Sequence, residues 1–321
     1  MRLVALLLTA AAFLAQTPAR APASQGQLQT LILTVTNNAG QYVQNLKQED
    51  FILEENGVQQ QLATFTAGSD VPVSLGILID TSASMRLPVA VQGREKVPAA
   101  LLAADGAARV VVRLSKLQDE YLVMTFDEGL RVKQSFTSDQ KKVNEALNKN
   151  TTVGGATHLY RAVGEALKEV RKKAKHRTRA LVVITDVHDT SGDKIDELLS
   201  TVRGQETPVY TFGMRWDAWG VPGEDAEPGK ASYEEAVLNM MATDSGGHSM
   251  VVDIPDLLSD YTIVRMIDFV DRISSELRGQ YTLSYYSTTP GPAAGKVIRV
   301  RSPASDYQVR LRRGTAGPVK D

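Results

Sequence analysis

Apolar and polar residues alternate over positions 29–36, and Asn37-Asn38-Ala39-Gly40 then supplies turn chemistry before Tyr42-Val43, which predicts a strand entering a hairpin. A second hairpin is expected within 49–60, where Asn56-Gly57 suits a type I′ turn between short strands. From Val71 the pattern changes. Short β-rich runs at 73–80, 121–126, 130–135, 180–185, 208–212 and 247–252 alternate with helical periodicity at about 97–116, 138–148, 158–174, 192–204 and 232–244, and a further helix is expected at 262–278. This alternation predicts an α/β fold, a doubly wound and mostly parallel sheet. Leu181-Val182-Val183-Ile184 is continuously apolar, as a central strand covered on both faces must be.

After Gly279 the pattern returns to β at 281–286, 296–300 and 307–312. These strands and the N-terminal ones lack neighbours, so the two ends of the chain are expected to join in a flanking β-rich module. The expected organisation is an N-terminal β segment at 22–69, the α/β domain at 70–255, a C-terminal helix and β segment at 256–313 packing with the N-terminal one, and a loose Gly-Pro-containing tail at 314–321.

Composition adds constraints rather than a fold. The chain has 321 residues, 43% of them hydrophobic and 23% charged, which is ordinary for a globular protein. A formal net charge of −1 gives no global attraction to nucleic acid or to an anionic membrane. The absence of cysteine excludes disulfides, thiolate metal sites and a catalytic thiol. Met1-Arg2, the apolar run from Leu3 to Leu14 and the small residues through Ala21 have the form of a cleaved secretory leader spanning 1–21, so an exported protein, periplasmic or secreted, is expected. No further segment of membrane-spanning length follows in the sequence.

The chemistry concentrates where the run from Val71 to Ile79 ends in Asp80-Thr81-Ser82-Ala83-Ser84. Alternation along an extended chain is expected to aim Asp80, Ser82 and Ser84 to one side. In open parallel sheets ligands bind beyond the carboxyl ends of strands, and two more loops are expected at that edge. Gly154-Gly155-Ala156-Thr157 precedes a helix and presents the Thr157 hydroxyl, and the strand ending Ile184-Thr185 delivers Asp186. Oxygen-only ligands of low total charge suit Mg²⁺, with Mn²⁺ or Ca²⁺ as substitutes, in a site that keeps an open position.

With Asp-x-Ser-x-Ser whole at 80–84, a threonine in a Gly-Gly-x-Thr turn and an aspartate at a later strand end, the region 70–255 resembles the von Willebrand factor type A (VWA) family and its metal-ion-dependent adhesion site. The flanking β segments look like those of bacterial exported proteins that carry this domain. The resemblance implies a metal held by Asp80, Ser82, Ser84, Thr157 and Asp186, and a non-enzymatic adhesion or protein-binding role in which a Glu or Asp carboxylate of a protein partner completes the metal's shell. One departure is that Val187, which resists positive φ, follows Asp186 where many members have Gly. The rival reading is a structural or assembly component of an envelope complex that binds partners without metal.

Other signals carry less. Thr243-Asp244-Ser245-Gly246-Gly247 has the look of a serine-protease motif, with His158, His176, His188 and His248 as available bases, but reads better as a helix end. The basic run Arg171 to Arg179 suits a helix C-terminus, so no nucleic-acid partner is expected. Trp216 and Trp219, together with His188 and Asp189, are the candidates for a partner-binding surface around the metal edge.

Overall fold

The computed structural model describes residues 26–68, 71–88, 96–148, 154–186, 189–203, 206–215, 233–257, 259–287, 289, 297–302 and 306–311. The expected leader and the expected loose tail lie outside them.

Six strands form the central sheet: β5 (Val73–Asp80), β6 (Glu120–Phe126), β7 (Leu130–Thr137), β8 (Thr178–Thr185), β9 (Val209–Arg215) and β10 (Ser249–Asp253). Their order is β10-β9-β8-β5-β6-β7, and every pair is parallel except β6 with β7. The doubly wound, mostly parallel sheet expected from the alternation is therefore present. Because β8 and β6 flank β5 on opposite sides, the carboxyl end of β5 lies where the winding reverses, the place where such sheets leave a crevice.

Helices cover both faces. On one side α1 (Ala99–Arg113), α2 (Gln140–Asn148) and α6 (Asp260–Arg278) share a core with Val73, Leu75, Ile77 and Ile79. On the other, α3 (Leu159–Lys173), α4 (Ile195–Arg203) and α5 (Tyr233–Ser245) pack with Leu78 and Leu181. Every residue of β5 is buried, which explains its unbroken apolar reading. Gly76 permits the close approach of α3: a Cβ there would fall 2.6 Å from Cγ2 of Val170. The helix grouped by sequence with the C-terminal β segment, α6, in fact buries Met266, Val270, Ile273 and Leu277 in the α/β core.

The chain ends form two antiparallel sheets. One has the order β13-β1-β11-β4, from β1 (Leu28–Asn37), β4 (Leu62–Ala67), β11 (Gln280–Tyr286) and β13 (Tyr307–Leu311). The other is β12-β2-β3, from β2 (Ile52–Glu55), β3 (Val58–Gln60) and β12 (Ile298–Arg301). They share one core around Leu31, Leu33, Phe51, Leu53, Tyr281 and Ile298, so the N- and C-terminal segments join as the sequence indicated, as two sheets over a common interior. The turn between β2 and β3 has positive φ at both Asn56 (52°) and Gly57 (80°), the type I′ geometry expected of Asn-Gly. β4 is a strand the sequence pattern did not announce; it is held by pairing with β11.

Two links join this β unit to the sheet above it, β4 into β5 and α6 into β11. Both lie at the amino-terminal edge of the parallel strands. The β unit is therefore at the opposite end of the molecule from the loops that follow β5 and β8. Arg278, at the end of α6, is pinned there by the fully buried carboxylate of Asp119, which also accepts from the Val73 N–H at 2.8 Å and the Lys116 N–H at 2.8 Å.

Candidate metal centre

Asp80 is the last residue of β5 and is wholly buried. The strand stops there. Ala83 is already helical (φ −62°, ψ −36°) at the start of a short 3₁₀ turn, Ser84–Arg86, so strand alternation does not aim Ser82 and Ser84 as expected. A turn does so instead. The Ser82 N–H donates to Oδ1 of Asp80 at 2.8 Å, which folds the chain back, and the Ser82 and Ser84 hydroxyls come to 3.1 Å from each other. No side chain caps the 3₁₀ turn, so the serines are not spent as caps.

Asp186 follows β8 directly and is buried at 3% exposure. Burial first and the charge of Asp186 second push the Asp80 carboxyl up to about 7, against hydrogen bonds from Thr185 and Ser82 that favour the ionised form. The Thr185 hydroxyl donates to the other carboxylate oxygen of Asp80 at 2.7 Å.

The 154–157 turn closes the third side. The Ala83 N–H reaches the Gly155 carbonyl at 3.5 Å, and the His158 N–H donates to the Asp127 carbonyl at 2.9 Å. Thr157 is buried, and its backbone is stitched to Thr190 in both directions, with the Thr157 N–H on Oγ1 of Thr190 and the Thr190 N–H on the Thr157 carbonyl, each at 2.8 Å. The glycines before it are needed for close approach. A Cβ on Gly154 would fall 2.3 Å from Cβ of Asp127, whereas one on Gly155 would meet only the tip of Glu128, at 2.6 Å from Oε1. Gly154→Ala is therefore expected to displace the turn and to destabilise the protein by about 1–3 kcal/mol, the range for overpacking a tight site. Gly155→Ala should be mild. Paired thermal melts check the contrast, and equal midpoints would show that the turn does not depend on that contact.

The structure thus gathers Asp80, Ser82 and Ser84 beside Asp186, and sets the turn bearing Thr157 against Ala83. Three supporting residues escaped the sequence reading: Thr185, Thr190 and Asp127. Thr185 was detectable in principle, since a hydroxyl one residue before Asp186 sits at the same strand end. Asp127 was not, because its role is to accept from Arg131 (2.6 Å) and the Gly129 N–H (3.2 Å) under Gly154.

Of the proposed partner surface, the Asp189 carboxylate accepts from the N–H groups of Tyr160 (3.3 Å) and Ser191 (3.1 Å) and from the Ser191 hydroxyl (2.7 Å), which ties its loop to the start of α3. Trp216, Trp219 and His188 lie outside the described residues, as does Val187. Ser245 is buried at the end of α5, where its hydroxyl donates to the Ala242 carbonyl and accepts from the Val209 N–H, each at 2.8 Å; with Gly246 at φ 89° this is a helix stop.

The donor set fits a hard divalent cation. Two buried carboxylates repel each other and are offset by a +2 ion, while neutral hydroxyls add ligands without further charge. Among the described residues no group of three or more His, Asp or Glu side chains offers a rival site.

Residues 75–188 match the family of von Willebrand factor type A domains. The matched segment carries Asp80, Ser82, Ser84, Thr157 and Asp186. Among solved structures the chain is similar to a von Willebrand factor type A protein from Catenulispora acidiphila (14% identity, 93% of this chain and 76% of that one, TM-score 0.47). It is also similar to the conserved hypothetical protein BatB from Bacteroides thetaiotaomicron (20% identity, 63% and 98%, TM-score 0.44). A third is the vWF domain of the type V pili tip protein Mfa5 from Porphyromonas gingivalis (10% identity, 63% and 96%, TM-score 0.43). No curated protein matches the chain. The type A domain is a protein-interaction module, and no helix among the described residues is long and apolar enough to cross a membrane.

Proposed function

We propose that the type A domain binds Mg²⁺ through Asp80, Ser82, Ser84, Thr157 and Asp186 and uses it to capture an acidic group, a Glu or Asp carboxylate, on a protein partner of an exported, non-enzymatic protein. The observation that carries this reading is the placement of two buried carboxylates beside paired hydroxyls at the winding reversal of the sheet. A bound Mg²⁺ supplies a cationic position open to one further oxygen ligand. Asp80 and Asp186 set the charge of the site, Ser82 and Ser84 hold a second pair of oxygens at fixed separation, and Thr185 orients Asp80. With the two aspartates roughly neutralising the ion, an added carboxylate is attracted rather than repelled. Export is supported by the form of residues 1–21.

Calorimetric titration of EDTA-stripped protein with Mg²⁺ and Mn²⁺ tests the site. Saturable binding in the wild type and its loss in Asp80→Ala and Asp186→Ala are expected. Binding that survives in both variants would remove the assignment. Capture of a partner that persists in excess EDTA would favour the metal-independent assembly role.

A further inference from the structure

We propose that Thr190 is a positioning residue for the metal centre: its hydroxyl fixes the direction in which the Thr157 side chain leaves the backbone, and thereby sets the affinity for Mg²⁺. The inference rests on the reading of Asp80, Ser82, Ser84, Thr157 and Asp186 as a Mg²⁺ site, and it adds to that reading a residue outside the donor set.

Thr157 is carried differently from the other donors. Asp80 is the last rung of the ladder between β5 and β6, Asp186 follows β8 directly, and the turn braced by Asp80 brings in the two serines. Thr157 lies in the loop before α3. Peptide units are planar, so only φ and ψ decide where Cβ points, and a loop residue is aimed when the planes on both sides of its Cα are held. Both planes are held here. The one before Cα carries the Thr157 N–H, which donates to Oγ1 of Thr190 at 2.8 Å. The one after it carries the Thr157 carbonyl, which accepts from the Thr190 N–H at 2.8 Å and from the Thr190 hydroxyl at 3.3 Å. That second plane also carries the His158 N–H, which donates to the Asp127 carbonyl at 2.9 Å. A single hydroxyl, on Thr190, thus grips both planes, as acceptor from one and donor to the other.

The grip is mounted on the loop that Asp186 begins. Thr190 follows Asp186 by four residues, and its neighbours fasten that segment to the start of α3. The Asp189 carboxylate accepts from the Tyr160 N–H at 3.3 Å, at a helix start that the His158 side chain does not cap, and Asp193 pairs with Arg161 at 3.3 Å. The Ser191 hydroxyl donates to Asp189 at 2.7 Å and accepts from the Asp193 N–H at 3.0 Å, which keeps the segment compact. The chain leaving one donor therefore returns to hold the next, in a short local circuit. Mg²⁺ requires near-ideal octahedral oxygens at about 2.0–2.1 Å, and a binding constellation must be held within about 0.5 Å of its working geometry, so freeing one plane at Thr157 weakens the site.

Calorimetric titration of the EDTA-stripped protein with Mg²⁺ tests this. Thr190→Val keeps the shape of the side chain and removes the hydroxyl; its dissociation constant should rise about 10- to 100-fold, the range for losing a partner that orients a metal ligand. Thr190→Ser retains the hydroxyl and should bind as the wild type does. The deciding arm repeats Thr190→Val in Thr157→Ala protein, titrated over a wider range of Mg²⁺: with the donor gone, the second substitution should cost nothing further. Thr190 is exposed, so both variants are expected to keep the wild-type circular dichroism spectrum, and Thr190→Ala replaces the valine variant if that one fails to fold. Wild-type affinity in the folded valine variant, a serine variant as weak as the valine one, or an equal loss in the Thr157→Ala background overturns the proposal, leaving Thr190 as a brace of its loop alone. A wild type without saturable Mg²⁺ binding overturns the metal reading and this inference with it, whereas wild-type binding that is indifferent to Thr190 overturns this inference only.

Discussion

Asp119→Ala is expected to lower the free energy of unfolding by about 3–5 kcal/mol, the range for removing one partner of a buried ion pair. Arg278 is 5% exposed and Asp119 fully buried, so the substitution leaves a guanidinium inside the protein whose side-chain partner among the described residues is the Ser274 hydroxyl, 2.7 Å away. The same change removes the acceptor for the Val73 and Lys116 N–H groups, which hold the start of β5. Unfilled buried donors cost about 1–3 kcal/mol each, so the two effects act in the same direction. Against a total stability of about 5–15 kcal/mol this is a large fraction. Urea unfolding followed by circular dichroism measures it, and Asp119→Asn, which can still accept from Val73, should lose less. A midpoint for Asp119→Ala equal to wild type would show that the joint between α6 and β5 does not hold the molecule together.

The second large effect is an inversion of stability order around Asp80. In the wild type, Mg²⁺ at about a hundredfold excess over its dissociation constant should raise the unfolding free energy by about 2.7 kcal/mol, since a ligand of the folded state alone stabilises by mass action. Asp80→Asn should show no such shift, because it removes one of two carboxylates from the donor set. In EDTA the order reverses. Burial and the charge of Asp186 both act against the ionised Asp80 carboxyl, so the neutral amide relieves a repulsion while keeping an oxygen for the Ser82 N–H. The variant is therefore expected to match or exceed the wild type without metal and to fall below it with metal. Unfolding curves for both proteins in both conditions check this, and a Mg²⁺ shift retained by Asp80→Asn would take Asp80 out of the site.

The aspartate and serines at 80–84, Thr157 and Asp186 were legible because their environment is announced locally. An unbroken apolar run marks a buried strand, and a carboxylate at its end must sit at the sheet edge. The alternation of strands and helices fixed the α/β class for the same reason, since period and length are properties of the chain itself. Asn56-Gly57 specified its own turn, both residues taking positive φ.

What depends on partners distant in sequence could not be read. β4 has no pattern of its own and becomes a strand by pairing with β11, more than two hundred residues later in the chain. The placement of α6 depends on which side of the sheet its apolar stripe meets, and that stripe fits α1 and β5 equally well, as far as sequence shows, as it would a β unit. The means by which Ser82 and Ser84 converge was also hidden. Extended alternation and a folded turn both bring the hydroxyls to one side, and only the hydrogen bond from the Ser82 N–H to Asp80 distinguishes them. Sequence by itself determined the fold class and which oxygen-bearing side chains stand at the sheet edge, because periodicity and residue chemistry are local; the tertiary structure alone decided how two distant chain ends close into one core and which neighbours hold those side chains, because those follow from contacts that no local pattern encodes.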